Sequence, residues 1–171
     1  MEENVSTARV ALKYGVLGSV VIMVYTTILN VSGLSQNKLL STITFVFLIV
    51  AIVMAMKDFR EQNKGFMSYG EGLGLGTLLS AVLGFLCAMF STFYTKFIDP
   101  SLMANAMNQA RENLEAQGMD DAQIDQAMEL SQNLMSPGIL FGMSVLIYIF
   151  TGFVLSLIIS AILRREKPVF D

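Results

Sequence analysis

GLGLGTLLSAVLGFLCAMFSTFYT, residues Gly72 to Thr95, is the stretch whose reading decides the fold. Its 24 residues carry no charge. At about 1.5 Å per residue, a helix of that length crosses a hydrocarbon core of about 30 Å. Gly72, Gly76, Ser80, Gly84 and Ala88 recur at steps of four, so a helix gathers them on one narrow face that another backbone can approach closely. The remaining faces carry bulky side chains such as Leu75, Leu79, Leu83 and Phe85, suited to lipid or to packing.

Three further blocks read the same way. Tyr14 to Leu34, Leu39 to Met56 and Gly138 to Leu163 are apolar and uncharged. A soluble helical bundle needs a wet, charged face on each helix, and these blocks have none. The β-branched residues of Leu39 to Met56 suggest a strand in water. In lipid, where every backbone group needs an internal partner, they suggest a helix. The expectation is an all-α fold: a four-helix transmembrane bundle forming a single integral membrane domain over residues 1–171. Its spans lie near 14–34, 39–56, 72–95 and 138–163, with an acidic extracytoplasmic helical segment at 96–137.

Small residues recur in the other spans. Ala11, Gly15 and Ser19 step by four, with Gly18 beside them. Gly138 and Gly142 open the fourth span, and Gly152, Ser156 and Ser160 continue through its second half. All are candidate helix-packing positions. Tyr148 and Thr151 are the more polar positions of that span and suit hydrogen bonding across the bundle.

Charge is segregated in a way that the net value of -3 hides. Arg9 and Lys13 precede the first span, Lys57, Arg60 and Lys64 follow the second, and Arg164, Arg165 and Lys167 follow the fourth. Because Lys and Arg set orientation, the expected topology has four spans with both the N- and C-termini cytoplasmic. Phe66 and Tyr69 suit the headgroup boundary. Residues 96–137 carry two basic side chains, Lys96 and Arg111, against seven acidic ones. Two amphipathic helices are expected there, near 101–117 and 121–135, with Met103, Met107, Ala110 and Leu114 striping the first. Ile124, Met128, Ser131 and Met135 stripe the second, Asp120 with Gln123 three residues later caps it, and Gly118 separates the two helices.

The motifs exclude more than they assign. Retention of the first span is favoured over signal cleavage near Ser32 and Gly33 by its length and by a second block close behind it. Gly70, Gly72, Gly74 and Gly76 lack the preceding strand and the Lys-Ser/Thr ending of a phosphate loop. Asn30-Val31-Ser32 matches a glycosylation pattern that is frequent by chance. The scattered methionines of 96–137 are packing residues at helical spacing rather than a copper set, and the acids lack calcium-loop order. The chain has no histidine and one cysteine, Cys87, in an apolar block. No catalytic residue, metal ligand or cofactor is expected. Nucleic-acid binding is excluded by the few basic groups, all at span boundaries or in an acidic segment.

Order and spacing of several short motifs add a resemblance. Lys13-Tyr14-Gly15 opens the first span, and Phe66-Met67-Ser68-Tyr69-Gly70-Glu71 leads into the third. Ile98-Asp99-Pro100 follows it, Met135-Ser136-Pro137 precedes the fourth, and Ser156-Leu157-Ile158-Ile159-Ser160-Ala161 runs toward the basic tail. With these the chain resembles the four-pass membrane proteins of a domain-of-unknown-function family widespread in Bacteroidota. Tyr69 stands where that family has phenylalanine, and Glu71 where glutamine is also familiar. The resemblance implies a bacterial inner membrane and carries over no catalytic or ligand-binding residue.

Two functional readings remain. The first is a non-enzymatic interaction or assembly component whose partners are membrane lipids and either a second copy, as a homo-oligomer, or another membrane protein. The alternative is a small transporter or accessory transport subunit, of unknown small-molecule substrate, built on Glu71, Lys96 and Tyr148. Glu71 is the candidate polar functional position, with helix capping as its plainer role.

Overall fold

The computed structural model describes residues 6–35, 37–134 and 136–166. Met135, expected on the stripe of the second amphipathic helix, and Lys167, expected in the basic tail, lie outside the described residues. Six α-helices follow one another among those described: α1 (Thr7–Val31), α2 (Lys38–Gln62), α3 (Tyr69–Phe93), α4 (Ser101–Ala116), α5 (Asp121–Leu134) and α6 (Pro137–Leu163). A π-helical turn, Tyr94–Ile98, extends α3. No strand occurs among the described residues beyond one isolated bridge between Met67 and Arg165. The fold is all-α, with α1, α2, α3 and α6 long and apolar enough to cross a membrane.

The helices outrun the apolar blocks at their polar ends. Helix α1 begins at Thr7, capped by Ser6, whose Oγ accepts from the Arg9 amide. Helix α2 continues past Met56 through Lys57, Asp58, Arg60 and Glu61 to Gln62. Hydropathy marks where charge begins, whereas the backbone keeps its hydrogen bonds for another turn or two with charged side chains in water.

The chain divides into two compact units, one of Met1–Cys87 with Val145–Asp171 and one of Ala88–Ser144. In the first, Ile22 of α1, Leu48, Ile52, Met56 and Phe59 of α2, and Leu75, Leu79 and Leu83 of α3 share a core, each at most 2% exposed, and Ile159 of α6 joins it at 9%. Helix α3 is its centre: Leu75, Leu79 and Leu83 form a buried ridge at steps of four. Beside that ridge, Gly15 of α1 lies against Val82 and Leu79, and Gly76 of α3 lies near Ile52 of α2. Helices α1 and α2 form an antiparallel hairpin tied at both ends. Tyr25 Oη donates to the Leu40 carbonyl at 2.9 Å, and Lys13 Nζ meets Asp58 Oδ2 at 2.8 Å. The turn between them takes Gly33 at φ 68°, a left-handed conformation that glycine adopts without a Cβ penalty.

In the second unit α4 packs against α5 and against the π-helical turn. Ile124 is buried at 1% exposure. The capping box of α5 closes in both directions: the Gln123 amide donates to Asp120 Oδ1 at 2.8 Å, and the Asp120 amide donates to Gln123 Oε1 at 3.3 Å. Gly118, at φ 77°, ends α4. The acids Glu112, Glu115, Asp120, Asp121, Asp125 and Glu129 are all exposed.

Candidate functional site

The most ordered polar feature of the first unit is a seam between α3 and α6. Four levels run along it: Gly72 against Ser160, Gly76 against Ser156, Ser80 against Gly152, and Gly84 against Tyr148. Each step of four up α3 is matched by a step of four down α6, the register of two antiparallel helices with matching ridges. Every level pairs one glycine with one residue that carries a side chain. A Cβ placed on Gly76 would sit 2.9 Å from the Ser156 Cβ, and one on Gly84 would sit 2.5 Å from the Tyr148 Cβ. Neither distance leaves room for a methyl group.

The seam's hydroxyls turn mostly to backbone. Ser160 Oγ donates to the Tyr69 carbonyl at 2.8 Å, a bond between α6 and the first turn of α3. Ser80 Oγ donates to the Gly76 carbonyl of its own helix at 2.9 Å. Ser19 on α1 does the same to Val16 at 2.8 Å. Ser156 Oγ is buried without a hydrogen-bond partner among the described residues.

The other small positions divide. Ala11, Gly15 and Ser19 are buried, Gly15 against α3. Ala88 is buried at 3% exposure in the second unit. Among the described residues, a Cβ at Gly138 or Gly142 would meet no atom within 4 Å. Gly70 and Gly74 on α3 are open in the same way.

Glu71 sits in the first turn of α3, which starts at Tyr69 rather than at Gly72. Its Oε2 accepts from the Ser68 amide at 2.7 Å and from Ser68 Oγ at 2.8 Å, while its own amide donates to Ser68 Oγ at 3.3 Å. This is a reciprocal capping box. Sequence reading missed Ser68, although Ser68-Tyr69-Gly70-Glu71 carries the Ser-x-x-Glu signal.

One end of the unit collects basic groups that the chain supplies from three places. Met67 and Arg165 exchange both backbone hydrogen bonds at 2.8 Å, holding the connection after α2 against the segment after α6. Arg60 Nη1 donates to the Leu163 carbonyl at 3.2 Å and so caps α6, while its Nε is buried without a partner among the described residues. The Lys13 and Asp58 pair belongs to the same end, on the helical extensions outside the apolar blocks. Hydrogen bonds from Lys13 and then Gln62 hold the Asp58 carboxyl below its ordinary range, and Asp58 in turn holds Lys13 above its own. Among the described residues no three His, Cys, Asp or Glu side chains group closely enough to hold a metal ion.

A family model matches residues 13–165 of the chain, which includes α1 from Lys13 onward and the whole of α2 to α6. The chain belongs to that family, described as "Protein of unknown function (DUF4199)". No curated protein and no solved structure matches it. As a member of DUF4199, the chain shows what the matched region builds: four helices fit to span a membrane, with a helical hairpin inserted before the last.

Proposed function

We propose that the chain is a four-pass protein of a bacterial inner membrane, with both termini cytoplasmic, that acts through interaction or assembly rather than catalysis. The observation that carries this reading is how the polar groups of α3 and α6 are used. Ser160, Ser80 and Glu71 direct their hydrogen bonds to backbone or to a helix cap, and Gly72, Gly76 and Gly84 of α3 are filled by α6. The charged groups of the α4 and α5 hairpin are exposed and mostly acidic, and Glu115 among them is paired with Arg111 at 3.1 Å. An exposed acidic face of that kind suits a basic surface on a membrane-protein partner or on a second copy.

The proposed orientation draws support from the end that gathers Arg9, Lys13, Lys57, Arg60, Lys64, Arg164 and Arg165, seven of the 11 Lys and Arg residues. Three separate segments supply them, and an even number of passes puts all three on one side.

The test is crosslinking in the native membrane with single cysteines introduced at Glu112 or Asp125, compared with cysteines at Ser80 or Ser156, in a Cys87→Ala background. Interaction through the hairpin gives a discrete adduct at the outer positions and none at the seam. A monodisperse monomer in native-like lipid, with no adduct at either set, sinks the proposal. The transport alternative requires flux in proteoliposomes that Glu71→Gln abolishes without loss of folding. The use of Glu71 as a helix cap weighs against it.

A further inference from the structure

The basic end of the first unit has a feature that orientation alone does not use. Helix α6 presents Ile158 and Ile162, 58% and 74% exposed, one turn apart on a single ridge. The helix ends at Leu163, and the exposed Arg164 and Arg165 follow at once. An apolar ridge thus leads directly to two cations, the arrangement that an acyl chain and its headgroup would match.

Three observations leave those cations available. The partial negative charge at the carboxyl end of α6 is already met by Arg60, whose Nη1 reaches the Leu163 carbonyl. Asp58 is committed to Lys13 and Gln62, and Glu71 to Ser68. Arg165 is fixed in place through its backbone by Met67, so its guanidinium makes no contribution to that bridge. Two exposed carboxylates remain, Glu166 directly after Arg165 and Glu61 directly after Arg60, opposed by exposed Lys57 as well as by the two arginines.

We propose that Arg164 and Arg165, with the Ile158 and Ile162 ridge, form a docking surface for an anionic phospholipid. The headgroup phosphate lies at the arginines and one acyl chain lies along α6. This rests on the reading that the four helices span a bilayer.

The test uses the full chain in a mild detergent, offered equal amounts of phosphatidylglycerol and phosphatidylcholine with identical acyl chains. Retained lipid is counted by native mass spectrometry. Phosphatidylglycerol is expected in excess, and the excess is expected to fall roughly fivefold per lost charge, or roughly 25-fold for R164Q/R165Q. The R164K/R165K variant, which keeps charge, should retain most of the preference. Equal retention of the two lipids overturns the proposal, as does a preference that R164Q/R165Q leaves intact. Displacement of lipid by inorganic phosphate beyond that caused by chloride at equal ionic strength overturns it in favour of a free-anion site. Flotation of the chain with pure phosphatidylcholine vesicles after an alkaline wash tests the spanning reading separately, since it needs no anionic lipid.

Discussion

Gly84 of α3 receives the Cβ and ring of Tyr148 from α6, at a separation where a Cβ on residue 84 would lie 2.5 Å from that of Tyr148. The largest side chain of the seam therefore faces a residue with none. The same reciprocity repeats at Gly76 with Ser156 and, reversed, at Ser80 with Gly152. Without a hydrophobic driving force between helices in lipid, packing has to come from such close fit. The seam consumes a glycine at every level within one chain.

Exchange of partners tests that reciprocity. Gly76→Ala should destabilise by about 1–3 kcal/mol from overpacking, partly offset by roughly 0.8–1 kcal/mol of helix propensity gained by alanine. Combining it with Ser156→Gly should recover most of the packing loss, because the side chain that obstructs the new methyl is gone. Reversible unfolding in mixed micelles measures the cycle. Strict additivity of the two single changes would count against direct contact.

Helix capping at the start of α3 gives a second expectation. Ser68→Ala removes the hydroxyl that pairs with Glu71 and should cost about 1 kcal/mol. Glu71→Gln should cost less, since glutamine also closes a capping box. The same unfolding measurement ranks them, and a larger loss for Glu71→Gln than for Ser68→Ala would give Glu71 a role beyond the cap.

The Lys13 and Asp58 pair sets a pH dependence. Asp58 has a lowered folded pKa, so its contribution is in place above the ordinary carboxylate value of about 3.9 and disappears as pH falls through the lower folded value. Lys13 has a raised one, so its contribution is in place below about 10.4 and is lost as pH rises through the higher folded value. Asp58→Asn should therefore shift the thermal midpoint by a small and constant amount between about pH 5 and 9, converging on the parent protein in strong acid. A difference that varies across neutral pH would point to another titrating partner.

Much of the fold is legible in residue order, for reasons that differ by element. Uncharged length marks the four long helices, but α2 outruns its apolar block through Lys57, Asp58 and Arg60, which hydropathy reads as connection. The capping box of α5 is legible as Asp120 and Gln123. The equivalent box of α3 is hidden because Ser68 stands four residues ahead of the uncharged block that opens at Gly72, with Glu71 between them. Steps of four identify the narrow faces of α3 and α6, yet periodicity fixes a face and not its partner. Gly138 and Gly142 have the spacing of Gly72 and Gly76, but no atom of the described residues lies within 4 Å of where their side chains would begin. The basic end joins Lys13, Arg60 and Arg165 across distances in sequence that no local pattern spans.

The central claim is that the small-residue face of α3 is filled by α6 of the same chain. Ser80→Cys and Ser156→Cys occupy adjacent levels of the seam, and both are close in size to the residue replaced. Placed together in a Cys87→Ala background and treated in the membrane with a short bifunctional thiol reagent, they should yield an internally bridged monomer. Placed on separate, differently tagged chains expressed together, they should yield no bridged dimer. A bridged dimer from the separated pair, with no internal bridge in the combined one, would contradict the claim.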